Sequence, residues 1–359
     1  MKFGVVDFGI PRVGLPVTVR NQNMPYIDDN VLECVIYLYP TVDDANEGVS
    51  VGGTGFLVSI GFKDHDSLEH VYAITNEHVV STRESMGQSP IIRLNTHEGK
   101  HDVLPLTFSR WLAHPHGDDI AVAPLGQIDR QRFVYQSINP DSFISKVDVQ
   151  HRQVYAGHEA LTVGRFISHE GKQKNTPSVR FGNISVMPFE GIELGDGRQQ
   201  ESFLVETRSL SGYSGSPVFV YDALPHVERL DAKLQKRGYG IEVRRREKHR
   251  PSNVRLLGID YAHMVIYEPV YEMTGREYLE TNFVAKSNSG QMAVVPAWKL
   301  SEMLFSAALQ EMRNEVEREY EQHTSPLDFN EPAYGVTLNP KFEDALRRAR
   351  QLLNHKGNL

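Results

Sequence analysis

Short runs of apolar, β-branched and aromatic residues recur along most of the chain, and turn-forming residues separate them. Ten such runs occur at 31–39, 55–60, 71–75, 91–94, 120–124, 161–166, 203–205, 218–221, 256–260 and 292–295. Gly, Pro, Asn and Asp lie between the runs, which is typical of short β-strands joined by turns. Many short strands with turn-rich connections predict a mainly β fold, built as a sandwich or as barrels.

The pattern changes to helical spacing from about residue 296. Residues 298–322 contain neither Gly nor Pro and place apolar side chains three and four positions apart, which predicts a helix. A second helix is predicted from Asn339, a suitable N-cap, with Pro340 in its first turn and an apolar stripe from Phe342 to Leu353. We expect both apolar stripes to be packing surfaces.

Composition and charge exclude several classes of function. The chain has 359 residues and a net charge of −8, which argues against a general nucleic-acid-binding or membrane-surface role. The single cysteine, Cys34, allows neither an intramolecular disulfide nor a CxxC site, and its apolar neighbours predict a buried mid-strand residue. Residues 1–11 contain an aspartate and end at a proline, unlike a secretion signal, and no apolar run is long enough to span a bilayer. We therefore expect a cytoplasmic protein without membrane contact.

Metal and cofactor motifs are not found in the sequence. It contains no GxGxxG, P-loop or HExxH motif, and we predict neither a cofactor nor a bound metal. Four histidines that fall close together in sequence are interpreted as loop residues without a ligand role: His97, His101, His114 and His116.

Three polar segments, each beside a predicted strand, carry the residue types of nucleophilic catalysis. They are 75–80 (TNEHVV), 118–122 (DDIAV) and 211–219 (SGYSGSPVF). A serine hydroxyl is a poor nucleophile at neutral pH and needs a base such as histidine, which a carboxylate holds in position. A glycine-containing turn around the serine also offers backbone N–H groups to a developing oxyanion.

These segments resemble the histidine, aspartate and serine motifs of trypsin-like serine proteases, especially HtrA-like and glutamyl-endopeptidase-like members. Their order along the chain is that of the family. Residues 52–58 and 256–261 resemble the strands that precede the histidine motif and line the pocket for the substrate's P1 side chain. The resemblance covers about residues 31–300.

The resemblance implies a fold of two six-stranded antiparallel β-barrels with a C-terminal helical extension. The expected divisions are an N-terminal extension at 1–30, a first barrel at 31–130, a second barrel at 131–297 and a helical segment at 298–359. The second barrel is expected to contain a basic insertion at 222–253, whose most basic part is 233–250. We interpret that part as a solvent-exposed loop, and the alternative is a contact site for an acidic partner or nucleic acid.

The resemblance also implies catalytic roles. His78 is expected to be the general base, Asp119 its orienting carboxylate, Ser214 the nucleophile, and the amides of Gly212 and Ser214 the oxyanion hole. Asp118 is the alternative to Asp119, and Ser216 is expected to make local contacts only. These roles predict a serine endopeptidase that acts on protein or peptide substrates through an acyl-enzyme.

Substrate specificity and control are less directly encoded. Arg208, Tyr261 and His263 fall near the positions that form the P1 pocket in the family, and an arginine there suits an acidic P1 side chain. Tyr213 stands where many members carry Asp or Asn, so activation by a new N-terminus that pairs with that residue is excluded. We expect a regulatory partner or trigger to act through the C-terminal helices or the basic insertion.

Two other interpretations compete with an active protease. An α/β-hydrolase esterase requires G-x-S-x-G and the order Ser, Asp, His, and neither is found here. A catalytically silent protease-fold interaction module is compatible with Tyr213 and the insertion, although all three catalytic residue types are present.

Overall fold

The structure is a computed structural model that describes residues 27–50, 52–65, 68–126, 128–165, 171–193, 197, 199–207, 213–221, 254–274, 277–322 and 340–356. Gly212, Arg208, most of the N-terminal extension and the basic insertion at 222–253 lie outside the described residues.

The described chain is mainly β-structure with helices at the C-terminal end. The strands are β1 (Val35–Tyr39), β2 (Gly53–Gly61), β3 (Glu69–Thr75), β4 (Ile91–Thr96), β5 (His101–Pro105), β6 (Leu112–Ala113), β7 (Ala121–Gly126), β8 (Phe133–Val134), β9 (Glu159–Gly164), β10 (Ser178–Val186), β11 (Gly191–Glu193), β12 (Gln199–Glu201), β13 (Phe203–Glu206), β14 (Pro217–Tyr221), β15 (Val254–Thr274) and β16 (Glu277–Pro296). The helices are α1 (Asp29–Glu33), α2 (Val42–Glu47), α3 (Glu77–Ser85), α4 (Lys146–Gln150), α5 (Ala297–Leu304), α6 (Ala307–Gln322) and α7 (Pro340–Lys356).

The first sheet contains eight strands and is open. Its order is β5-β4-β1-β2-β3-β7-β6, and β8 pairs with β4. The resemblance predicted a closed six-stranded barrel here, and among the described residues the edge strands β5 and β6 do not pair. Strand β6 has only two residues, and the chain before it forms a 3-10 turn whose Arg110 pairs with Glu343 of α7 at 2.5 Å. The ion pair connects this turn to α7 and not to the strand at the opposite edge of the first sheet.

The second sheet is a closed ring of six strands in the order β10-β13-β16-β15-β14-β9, as the resemblance predicted for this half of the chain. Strands β15 and β16 are 21 and 20 residues long and continue beyond the ring as a two-stranded ribbon. The sequence predicted only the parts of these strands at 256–260 and 292–295.

The predicted strand at 31–39 is wrong in its first half. Residues Asp29–Glu33 form a short helix because the Asp28 side chain accepts the N–H of Asn30, and β1 begins only at Val35. Cys34 ends this helix and is buried, as predicted, although it does not lie within a strand. Burial raises the pKa of its thiol to about 12.

The C-terminal helices belong to the main core. One cluster of buried side chains contains Tyr37 of the first sheet, Val163 of the second sheet, and Leu309 and Leu346 of α6 and α7. Polar contacts fix α6 to β3, where Glu317 lies 2.9 Å from His70 and Arg313 donates to the Tyr72 hydroxyl. The two sheets and these helices therefore pack as one body. In the part of the chain that the structure describes, no helix is long and apolar enough to cross a membrane.

Candidate active site

His78 and Asp119 meet because the strands that precede and follow them pair. Strand β3 ends at Thr75, and His78 follows three residues later in the first turn of α3. Strand β7 begins at Ala121, two residues after Asp119. The two strands are antiparallel with Thr75 opposite Ala121. The C-terminal end of β3 therefore lies beside the N-terminal end of β7, and both side chains project from the same edge of the first sheet.

Asp119 holds both the backbone and the ring of His78. Its Oδ1 accepts the N–H of His78 at 3.0 Å, and its Oδ2 lies 2.7 Å from Nδ1 of the ring. The first N–H groups of a helix have no partner within the helix, and this carboxylate supplies one for α3. Asn76, at the N-cap position, uses its side-chain amide to donate to the Asp119 carbonyl at 2.9 Å instead of capping the helix itself. The arrangement fixes both residues.

The electrostatics favour a histidine that readily accepts a proton. Burial by itself lowers the pKa of His78, but the hydrogen bond and charge of Asp119, with the charges of Glu77 and Asp260, outweigh it and raise the pKa above 6.5. The His78 side chain is 41% exposed, whereas that of Asp119 is 7% exposed. Because Nδ1 faces the carboxylate, Nε2 is the ring nitrogen left to exchange a proton with another group.

Asp118 has a different set of partners. Its Oδ1 accepts from the Gln200 side chain at 2.8 Å, and its Oδ2 lies 2.9 Å from Nδ1 of His114 and 3.3 Å from Nζ of Lys299. Burial opposes ionisation, but the bonds from His114 and Gln200 and the charge of Lys299 lower the pKa of Asp118 to about 2. Of the two adjacent carboxylates, the structure brings Asp119 to His78.

The turn that carries Ser214 is pressed against the first sheet. The Ser214 carbonyl accepts the N–H of Thr54 in β2 at 3.0 Å. Gly215 has φ +87°, and a Cβ there would lie 2.0 Å from the Thr54 carbonyl oxygen and 2.4 Å from Oγ1 of Thr75. Only glycine fits both the backbone angle and the space. The turn therefore lies against the end of β3, which leads directly to His78.

Strand β15 holds the same turn from the other side. The N–H of Gly215 donates to the Asp260 carbonyl at 2.8 Å, and the N–H of Asp260 donates to the Ser216 carbonyl at 3.0 Å. These bonds place Ser214 between the two sheets.

The two serines of this turn differ in accessibility. Ser216 is fully buried, whereas Ser214 is partly exposed. Among the described residues the Ser214 hydroxyl has no hydrogen-bond partner, and a hydrogen bond between a hydroxyl and a nearby base is often long before a ligand binds. Ser214 is the hydroxyl of the turn that a substrate can reach.

Tyr213 anchors the residue before Ser214 in the second sheet. It is fully buried, and its hydroxyl lies 2.6 Å from the Ser178 hydroxyl and accepts from Nε of Arg180 at 2.8 Å. The Arg180 guanidinium also lies 4.8 Å from the centre of the Tyr213 ring. Tyr213, the residue that departs from the family pattern, thus packs against β10 and hydrogen-bonds to it.

Sequence reasoning missed Gln200. It is buried on β12, where its side-chain amide donates to the Asp118 carboxylate and accepts the backbone N–H of Asp119 at 3.2 Å. One amide group therefore connects the side chain of Asp118 to the backbone of Asp119. Lys299 at the start of α5 bridges Asp118 and Glu201 at 3.3 and 3.6 Å. No local motif marks either residue, because their role depends on a contact between distant segments.

The two described residues of the predicted P1 pocket both lie in β15, directly after Asp260. Tyr261 is buried with its hydroxyl 2.8 Å from that of Ser202. Burial and the charges of Asp119 and Asp260 raise its pKa to about 12, although the Ser202 hydrogen bond lowers it. His263 is half-buried, and burial lowers its pKa.

The histidines near residue 100 have ordinary partners. His97 and His101 bond to the carbonyls of Arg130 and Gln173. Among the described residues, no group of three His, Cys, Asp or Glu side chains has the geometry of a metal site.

Comparisons with known proteins give only distant similarities. No family model and no curated protein matches the chain. The solved structure of Deg5 is 16% identical with a TM-score of 0.34, covering 53% of this chain and 75% of Deg5. An inactive serine-to-alanine mutant of Rv3671c from M. tuberculosis H37Rv is 12% identical with a TM-score of 0.38, covering 76% and 84%. The HtrA-type protease AlgW with a decapeptide is 13% identical with a TM-score of 0.35, covering 82% and 66%. At these values the assignment of a function depends on the geometry of the site.

Proposed function

We propose that the protein is a serine endopeptidase with His78, Asp119 and Ser214 as its catalytic residues. The observation that carries this proposal is the His78–Asp119 pair, in which Nδ1 of the ring lies 2.7 Å from Oδ2 of the carboxylate. The pair lies at the end of the first sheet against which the turn with the accessible Ser214 packs. A buried carboxylate on Nδ1 of an exposed histidine is the arrangement needed to activate a nearby hydroxyl.

In the proposed reaction, Nε2 of His78 takes the proton of the Ser214 hydroxyl as its oxygen bonds to the carbonyl carbon of the substrate. The amides of Gly212 and Ser214 stabilise the oxyanion of the tetrahedral intermediate. Collapse breaks the C–N bond, and His78 returns the proton to the leaving amine. Water then attacks the acyl-enzyme with His78 again as the base, which releases the acid and restores Ser214.

We also propose that Arg208, Tyr261 and His263 shape the P1 pocket, and that activity depends on a partner or trigger. The contact between Lys299 of α5 and Asp118 supports the second proposal, since it connects the C-terminal helices to the residue before Asp119. A partner that moves α5 would act on the carboxylate through Asp118 and Gln200.

The direct test is proteolysis of a denatured protein substrate, with the new N-termini mapped by mass spectrometry. We expect the full chain to produce new N-termini, alone or after addition of cell extract, and the Ser214→Ala variant to produce none beyond those that the extract produces by itself. The Ser216→Ala variant is the matched control, because its hydroxyl is buried, and we expect it to cleave the same bonds. Cleavage by Ser214→Ala at the wild-type rate would contradict the assignment, and no cleavage under any condition would favour the silent module.

A further inference from the structure

The peptide groups of Asp119 are held by side chains from other parts of the chain. Asp119 lies two residues before β7 begins, outside the paired part of the first sheet. Its N–H donates to Oε1 of Gln200 at 3.2 Å, and its carbonyl accepts from Nδ2 of Asn76 at 2.9 Å. Gln200 is 3% exposed and Asn76 is fully buried, so water cannot easily replace either bond. The position of the Asp119 carboxylate therefore depends on these two amides.

The Gln200 amide uses its full hydrogen-bonding capacity. Its Oε1 accepts from Asp119, and its Nε2 donates to Oδ1 of Asp118 at 2.8 Å and to the carbonyl of Glu201 at 3.2 Å. The reverse orientation of the amide would put its NH2 group against the N–H of Asp119. It would also put the amide oxygen against the carboxylate of Asp118, which is ionised at neutral pH. The position therefore requires a donor and an acceptor on one planar group, as glutamine provides.

Gln200 is itself fixed by its own strand and by β15. Its backbone pairs with Ile192 of β11. The Ser202 hydroxyl donates to the Gln200 carbonyl at 3.0 Å and lies 2.8 Å from the Tyr261 hydroxyl. A serine hydroxyl has one proton to donate, so Tyr261 is the donor to Ser202. Buried hydrogen bonds thus run from β15 through Ser202 to Gln200, and from the Gln200 amide to the two aspartates.

We propose that Gln200 is a positioning residue of the candidate site, whose amide fixes the backbone of Asp119 so that its carboxylate remains against Nδ1 of His78. Gln200 acts through Asp119, which contacts the histidine directly. The inference rests on the proposed function, because the position of this carboxylate affects a rate only if His78 is the base. A displacement of about 1 Å at a catalytic group can lower a rate about a hundredfold.

The test combines an NMR titration of the histidine rings with the kinetics of peptide hydrolysis by the full chain. Gln200→Met keeps a side chain of similar length and makes neither bond. Burial lowers the pKa of His78, whereas the hydrogen bond and charge of Asp119 raise it. We therefore expect Gln200→Met to move the pKa of His78 down. It should also lower kcat about tenfold to a hundredfold and leave KM within about threefold of wild type.

The matched control is Gln199→Met, which makes the same change at the adjacent, exposed position of β12. It should keep the wild-type titration, kcat and KM. The chain has 15 histidines, and the signal of His78 is identified as the one that disappears in His78→Gln. Circular dichroism checks that each variant is folded.

An exchange of donor and acceptor tests the hydrogen bonds without removing the side chain. Gln200→Glu keeps an acceptor for the N–H of Asp119 but places a second carboxylate against Asp118, and we expect it to lower kcat at least tenfold. Adding Asp118→Asn supplies an amide donor to the new carboxylate and restores the wild-type net charge. The double variant should recover kcat to within about threefold of Asp118→Asn alone. This pair of variants decides the question if Gln200→Met does not fold.

An unchanged titration of His78 in folded Gln200→Met overturns the proposal, whether or not kcat falls, and so does failure of the double variant to recover. The titration requires no catalysis, so it separates this proposal from the proposed function. If it shifts in Gln200→Met while wild type cleaves no substrate, the proposed function fails and Gln200 still positions the pair. If wild type cleaves and the titration does not shift, the present proposal alone fails.

Discussion

Asp119 shows how much a single residue contributes to this site. One oxygen binds the first turn of α3 through the His78 N–H, and the other binds the ring of the same histidine. The adjacent Asp118 is equally buried but is occupied by His114, Gln200 and Lys299. Two neighbouring carboxylates thus have separate functions because their partners differ.

The raised pKa of His78 predicts the pH dependence of activity. A general base must be neutral, so kcat/KM should rise with pH, with a midpoint above 6.5 for the free enzyme. Asp119→Asn removes the charge that raises this pKa, and we expect the midpoint to move down and the rate to fall by about 10⁴-fold. The measurement is a pH profile of peptide hydrolysis.

Asp118→Asn is the control for that experiment. It removes a charge one residue away without changing the group that binds His78, and we expect a much smaller loss of rate and an unchanged midpoint. If Asp118→Asn moves the midpoint and Asp119→Asn does not, the two aspartates have been assigned in the wrong order.

At the scale of elements, the contact between α5 and the loop before β7 joins the helical segment to the site. Lys299 is 17% exposed and Asp118 9% exposed, so water screens the pair only weakly. An exposed pair such as Lys100 with Glu98 contributes little to stability by comparison.

Lys299→Met should therefore destabilise the protein by about 1–3 kcal/mol at neutral pH, as judged from urea unfolding. Asp118 has a lower pKa folded than unfolded, so its ionised form stabilises the fold above pH 3.8, and that contribution disappears as the pH falls toward 2. The difference between wild type and Lys299→Met should shrink over the same interval. Lys100→Met should be within about 0.5 kcal/mol of wild type, and an equal loss in both variants would contradict the argument.

An element could be predicted from the sequence where the local pattern of apolar and polar residues marks it. The strands that end at Thr75 and begin at Ala121 were predicted from local patterns, and so was the helix that forms α7. The single helix predicted at 298–322 is instead two helices, α5 and α6, separated at Phe305 and Ser306. Helix α1 was missed because its cap, Asp28, lies before the run at 31–39, whose apolar residues were all assigned to one strand. The ribbon was missed because polar residues such as Glu268 and Lys286 interrupt the apolar pattern that marks a strand.

The candidate site shows the same limit. The motifs predicted His78, Asp119 and Ser214 as catalytic residues but gave no indication of Gln200, whose contacts form only when β12 packs beside the two aspartates. The family resemblance also did not predict that the first sheet is open, with β5 and β6 as unpaired edges among the described strands.

At the scale of the whole molecule, the Ser214 turn lies where the two sheets meet. Thr54 of the first sheet and Asp260 of the second both bond to it. Asp260 lies on β15, the strand that continues beyond the closed ring into the ribbon.

The central claim is that Ser214 is a nucleophile activated by His78, and labelling with a fluorophosphonate probe tests it most directly. Intact-protein mass spectrometry should show one probe per chain in wild type and in Ser216→Ala, and none in Ser214→Ala. Labelling of wild type should also accelerate as the pH rises through the raised pKa of His78. Equal labelling of Ser214→Ala and wild type, or no labelling of wild type under any condition, would contradict the account.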